Sequence, residues 1–291
     1  MELGGEIKLN TEIVKVDVSQ NTLIDKEGNV YKYNKLIWAA DLKKLYTIIS
    51  NVPQHVSRKF SMEKERILKS KGAESVFSIF LGVDEDPEFF KNIATGHIFY
   101  TPKKEGLGEV HRSELRRILD NWQQISKEDL FNWLRKFVEY NTFEISIPVL
   151  RDKDAAPKGK TGIIVSFLFD YELTKKIYER GWYYEFKDIM TNEVLGVLSK
   201  HLFPNLKDKV ILNFSASPLT IERLDGSSEG AIVGWSFEGE LPIESSMTKM
   251  AESVRTSIPN IYKAGQWTFS PAGGPTSIMT GKIAAKKCLR G

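Results

Sequence analysis

The sequence predicts a mixed α/β protein, and three observations predict it. Residues 12–18, 22–24 and 30–33 alternate apolar and polar side chains around Asp25-Lys26-Glu27-Gly28-Asn29, the pattern of a hairpin with one solvated face. Longer strand-like runs at 75–83 and 162–169 are interleaved with apolar stripes at helical spacing. Near its end the chain passes from a short apolar run through a glycine- and proline-rich loop into a helix.

Taken in order, the first fifty residues read as strands at 6–9, 12–18, 22–24, 30–33 and 35–40, then a helix that Asp41 can cap. Residues 51–75 read as loop and polar helix, 75–83 and 96–100 as strands. Ser126 can cap a helix over 127–140 whose Leu130, Trp133, Leu134, Phe137 and Val138 form one stripe. Such a stripe is core, lines an apolar tunnel, or lies on a membrane surface. Residues 143–150 and 162–169 read as strands around a loop at 152–160. A helix over 182–203 carries Phe186, Ile189, Met190, Val194, Val197, Leu198 and Leu202, ends before Pro204, and leads to a strand at 210–216.

The last stretch carries the chemistry. Residues 261–265 form a short strand ending on Gly265, followed by the loop Ser270-Pro271-Ala272-Gly273-Gly274-Pro275. In the helix beyond, Ile278, Ile283, Ala284, Ala285, Cys288 and Leu289 fall toward one side. Pro275 suits a first helical turn, Lys286, Lys287 and Arg290 suit the last, and Gly291 can end it. Strand, glycine loop and helix aim unpaired N–H groups at an electron-rich ligand, although the same order also makes an ordinary βα turn.

Composition narrows the classes. The 291 residues suffice for about two domains, and lysine plus arginine exceed aspartate plus glutamate by only 41 − 38 = 3. With no concentrated basic tract, nucleic acid is not an expected partner. Cys288 is the single cysteine, so no internal disulfide forms; this fits a reducing, cytoplasmic setting, and its place in an apolar pattern reads as core. No signal peptide is read at the start, and the longest apolar run, 162–169, is far too short to span a bilayer. A peripheral membrane contact stays open. His55, His97, His111 and His201 are too scattered for zinc, and neither a GxSxG elbow nor a P-loop occurs. Asp84, Glu85 and Asp86 before Pro87 read as a solvated turn. Trp235, Phe237, Trp267 and Phe269 are core or face an aromatic or apolar ligand.

The wording of several segments is more specific. Ala264-Gly265-Gln266-Trp267, Gly273-Gly274-Pro275 and the run Ile278 to Ala285 resemble the C-terminal flavin segment of phytoene desaturase-like FAD oxidoreductases. That family includes carotenoid desaturases and retinol saturase-like enzymes and is related to the amine oxidases. The β-meander before Ala40, the strand Gly96-His97-Ile98-Phe99-Tyr100, the segment Asp154 to Lys160, and Ser217-Pro218-Leu219-Thr220-Ile221-Glu222-Arg223 with Gly230 to Trp235 are similar to further signatures of it. The resemblance implies an α/β flavoprotein fold: residues 1–50 and 225–291 in the FAD-binding domain, 51–224 in a substrate domain of mixed sheet and helices. It implies FAD contacts at Gly265, Gln266, Trp267, Gly273, Gly274 and Pro275, with Ile13 near the adenine, and hydride transfer to or from an apolar small molecule. Backbone amides at the last helix start would stabilise charge on a reduced flavin's pyrimidine edge. Many amine-oxidase relatives carry aspartate where Gln266 stands, which disfavours the amine-oxidase branch; an amine or protoporphyrinogen oxidase relative is a further reading, to be separated by substrate screening.

One expected element is absent. Such enzymes open with strand, GxGxxG and helix, and the only GxG, Gly106-Leu107-Gly108, lies among charged residues. The chain is therefore expected to be the C-terminal, truncated part of a longer enzyme, cofactor-poor and inactive alone, with an N-terminal FAD-binding half as partner. The rival reading is a non-catalytic binding or assembly module of the same fold. No catalytic residue is identifiable.

Overall fold

The computed structural model describes residues 4–104 and 108–290, which leaves Gly106, Leu107 and Gly291 outside the described residues. The chain folds as two compact units, one made of residues up to Ala73 and from Gly226 onward, the other of Glu74–Asp225.

In the first unit, Val30–Lys32, Thr22–Asp25 and Ile13–Asp17 form an antiparallel meander, and Ile49–Ser50 adds in parallel to Ile13–Asp17. The strand expected at 6–9 does not form; Ile7 and Leu9 are exposed, and among the described residues no strand pairs with them. Asp41 caps the helix Leu42–Ile48 as expected, its Oδ1 accepting from the Lys44 N–H at 2.8 Å. A second, parallel sheet pairs Leu36–Trp38 with Ile261–Lys263. The helix Gln54–Lys69, read from sequence with the substrate domain, packs in this unit instead. Its Phe60 stacks on Tyr46 at 5.6 Å and its Ile67 is fully buried, so the packing boundary falls after Ala73 rather than after residue 50.

The second unit is built on a five-stranded sheet in the order Val210–Ala216, Ser75–Val83, Thr161–Phe169, Phe143–Ser146, His97–Tyr100, every neighbour antiparallel. Strict alternation along Ser75–Val83 buries Phe77, Ile79, Leu81 and Val83 and turns Val76, Ser78 and Phe80 to the other face. The buried face meets the helices Lys127–Glu139 and Tyr183–His201. All five stripe residues of Lys127–Glu139 are buried, so the stripe is core. The strand read over 143–150 stops at Ser146, because Pro148 has no N–H to give a ladder and begins a short helical turn, Pro148–Leu150. Two longer helices were not foreseen, Tyr171–Glu179 and Pro218–Asp225, nor were the short ones Pro87–Lys91, Leu206–Lys209 and Met250–Ser253. The first carries a legible signal, an Asp170 cap whose Oδ1 accepts from the Leu173 N–H at 2.6 Å.

Truncating Phe77, fully buried against Phe167, Phe169 and Phe186, should destabilise the protein by about 3–5 kcal/mol as Phe77→Ala. Phe80→Ala, on the opposite face of the same strand, should cost about 1 kcal/mol or less. Urea midpoints of the two variants give the comparison.

Candidate cofactor-binding site

The parallel pair brings two remote segments together. The Ala264 N–H donates to the Trp38 carbonyl at 2.9 Å, so the ends of the two strands lie side by side. Gly265 then turns with φ +85°, and a Cβ there would lie 3.3 Å from the Ala39 carbonyl oxygen. Ala39 and Ala40 are exposed at this edge. The Gly265 N–H donates to Thr280 Oγ1 at 3.1 Å, and that buried hydroxyl donates to the Ser277 carbonyl at 2.9 Å. The strand end is thereby fixed to the second turn of the last helix, Gly274–Arg290.

Gly234 closes the other side. Its φ is +80°, and a side chain there would collide with the Gln266 carbonyl and meet Ala272 Cβ at 3.6 Å. Only glycine permits this approach. The Gly273 carbonyl accepts from the Ser277 N–H at 2.9 Å and from Thr276 Oγ1 at 3.0 Å, starting the helix. Gly274 and Pro275 are exposed, and by position the amides of Gly274 and Thr276 have no acceptor inside the helix.

The structure therefore gathers Gly265, Gln266, Gly273, Gly274 and Pro275 around one glycine-rich edge. Trp267 belongs to the adjoining core. Its ring meets Trp235 edge-on at 4.8 Å, and its carbonyl accepts from Trp235 Nε1 at 3.0 Å. Trp235 and Phe269 are likewise buried, whereas Phe237 is exposed. Ile13 heads the Ile13–Asp17 strand beside a cleft of about 410 Å³ lined by Asn10, Thr11, Glu12, Asp25, Lys26 and Glu27. Among the described residues no hydrogen bond ties Ile13 to the glycine cluster. The apolar side expected of the last helix is narrower than read: Ala284 is buried and Ile283 and Cys288 pack beside it, but Ile278 and Leu289 are exposed. Burial pushes the Cys288 thiol up, which suits a packed residue rather than a nucleophile. Gly234 and Thr280 were missed as site-shaping residues; a buried threonine on an apolar helix side was the available signal.

Polar anchors hold the surrounding backbone. The buried Asp41 accepts from the Ser228 N–H at 2.7 Å, and its carbonyl takes Trp38 Nε1 at 2.8 Å. Glu229 pairs with Lys43 and accepts from the Gly72 N–H at 2.6 Å. Lys263 is buried in its strand; burial lowers its pKa, against the opposing pull of Glu63. Burial raises the Tyr46 hydroxyl, with Glu63 adding to it. Glu63 also accepts from the Ser257 N–H at 2.9 Å. No cluster of three metal-ligating side chains occurs among the described residues, and no described helix is long and apolar enough to cross a membrane.

Gly234→Ala should destabilise the first unit by about 2 kcal/mol or more, read from thermal or urea unfolding, because positive φ and the Gln266 carbonyl both oppose a Cβ. A second expectation concerns pH. The Asn29 side chain, with help from Tyr31 and two backbone amides, holds the buried Asp25 carboxyl down to about 2. A depressed folded-state pKa stabilises the fold above the unfolded value of about 3.9 and ceases to do so as pH falls toward 2. Asp25→Asn should therefore flatten the acid limb of the stability–pH curve between those values.

No protein-family model matches the chain. Among curated proteins it is similar to the chloroplastic prolycopene isomerases 1 and 2 of an Oncidium hybrid cultivar. Each is 27% identical over 214 residues, which is 70% of this chain and 34% of theirs. The chain thus spans about a third of the length of these relatives. Among solved structures it superposes on an oxidoreductase from Methanosarcina mazei with a TM-score of 0.55 at 12% identity, covering 99% of this chain and 50% of that one. A putrescine oxidase with redesigned cofactor binding gives a TM-score of 0.52 at 13% identity, over 100% and 51%. In sequence the chain is similar to part of these prolycopene isomerases, and in fold it is similar to about half of each of these two solved structures.

Proposed function

We propose that the chain forms part of an FAD-dependent oxidoreductase that moves hydride between a carbon of an apolar substrate and the flavin. One observation carries the reading: Ala39–Ala40, Gly265–Gln266 and the start of the last helix converge on one exposed, glycine-rich edge. The residues fit a flavin. Small side chains leave room for a ring system, and the first-turn amides of Gly274 and Thr276 are free within the helix to meet an electron-rich edge. The Gln266 side chain can hydrogen-bond a ribityl hydroxyl. Trp267 supports this surface from behind, and Ile13 would border the adenine. When bound, the flavin supplies the hydride chemistry; the chain's own residues position it, exclude water and bias its charge.

The unit containing this edge would hold the cofactor, and the Glu74–Asp225 unit the substrate. The second assignment is supported by the uncovered sheet face carrying Phe80, Ile164, Leu168 and Phe214, and by relatives named for acting on prolycopene. The sequence offers no GxGxxG helix start for the pyrophosphate, so this chain alone would hold FAD weakly and would need a segment or partner that supplies one.

The reading predicts an in-frame GxGxxG segment in the coding region upstream. Expressed with that segment, the protein should be yellow, with flavin absorbance bands. Gly274→Asp should then lower flavin affinity at least about tenfold, since a carboxylate at the helix start competes for the same amides. A colourless extended protein that takes up no FAD would refute the proposal.

A further inference from the structure

The face of the five-stranded sheet turned away from the core has an ordered composition. Antiparallel register aligns Phe214, Phe80, Ile164, Ser146 and His97 in one row across all five strands. Four strand spacings make this row about 19 Å long. Its first three positions are apolar: Phe80 and Phe214 stack at 4.7 Å and 9°, and Ile164 continues them. Leu212, exposed, widens the apolar part on the neighbouring row, and Leu168, also exposed, lies one row beyond the hydrogen-bonded Ser78–Ser166 pair on the other side.

The last two positions are polar. Ser146 Oγ accepts from Arg151 Nη2 at 3.0 Å. His97 Nε2 lies 2.8 Å from Glu144 Oε1, which fixes the imidazole beside that hydroxyl. Gly96 is what allows the guanidinium to be there: a Cβ at that position would lie 2.6 Å from Arg151 Cγ, so the arginine stem crosses bare backbone. The Ser146 hydroxyl is one acceptor for a fork of five N–H donors, and no carboxylate is paired with Arg151 among the described residues. A guanidinium presented in this way matches a carboxylate through two parallel hydrogen bonds.

We propose that this face binds an elongated amphiphile with a carboxylate end group. Its apolar chain lies over Phe214, Phe80 and Ile164, and its carboxylate pairs with Arg151 next to Ser146 and His97. The inference rests on the reading of Glu74–Asp225 as a substrate unit and narrows its ligand from apolar molecules in general to long-chain acids. It does not depend on the flavin.

The full chain, without added flavin, is titrated with cis-parinaric acid, a fluorescent polyene carboxylic acid, and in parallel with its methyl ester. The acid should give saturable fluorescence enhancement and the ester should bind at least about tenfold more weakly. Arg151→Ala, an exposed change away from the core, should bring the acid to the level of the ester and leave the ester unchanged. Phe214→Asp, on the edge strand, should weaken both about tenfold or more. Equal binding of acid and ester, an equal loss of both in Arg151→Ala, or no saturable binding would overturn the proposal. So would a concentration-dependent dimer in sedimentation that Phe214→Asp dissociates, since a second copy would then cover the face. Because nothing in this assay reads flavin, its failure leaves the cofactor assignment standing, and a failure of flavin uptake leaves this one standing.

Discussion

The parallel pairing of Leu36–Trp38 with Ile261–Lys263 is the constraint on which the candidate site depends. It joins segments far apart in the chain, and Lys35 Nζ donates to Asn260 Oδ1 at 2.8 Å across 225 residues. Closing so long a loop carries an entropic cost that grows only slowly with length, and here most of the loop is a unit with its own core. A two-stranded parallel pair is weak by itself. This one is held by burial of Leu36, Trp38, Ile261 and Tyr262 and by the bond from Trp38 to the Asp41 carbonyl. If the register slipped by one residue, Gly265 would no longer lie beside Ala39, and the last helix would be fixed to the wrong turn.

Glycine and buried hydroxyl groups do the remaining positioning. Gly234 approaches Gln266 where no side chain fits, and Thr280 satisfies the Gly265 amide from inside the helix. Asp41 acts twice, capping its own helix and receiving the Ser228 amide from the returning chain. Each of these groups would be costly to bury unpaired, and pairing them across the two segments makes the return path specific. The exposed first turn of the last helix is thus a consequence of what is buried behind it.

Much of this was legible in the sequence, and the reasons for success and failure are physical. Ser75–Val83 read correctly because one face is buried and the alternation is strict. Asp41 and Ser126 read correctly because capping is a local effect. The strand at 6–9 failed because alternation alone does not supply a pairing partner. The placement of Gln54–Lys69 failed because its polar composition hides two anchors, Phe60 and Ile67, whose destination is set by tertiary contacts. Within the site, the glycines announced themselves, while Gly234 and Thr280 matter through neighbours more than ten residues away. The burial of Trp267 was also undetermined, since an aromatic residue after a glycine serves a core or a ligand equally well.

The central claim is that the glycine-rich edge of the first unit faces a flavin ring. Amide chemical shifts of the full chain titrated with riboflavin, which carries the ring and ribityl chain but no pyrophosphate, test it directly. The account predicts saturable shifts confined to Ala39–Ala40, Gly265–Gln266 and the amides from Gly273 to Ser277. Shifts scattered over Glu74–Asp225, with those amides unmoved at saturation, would contradict it.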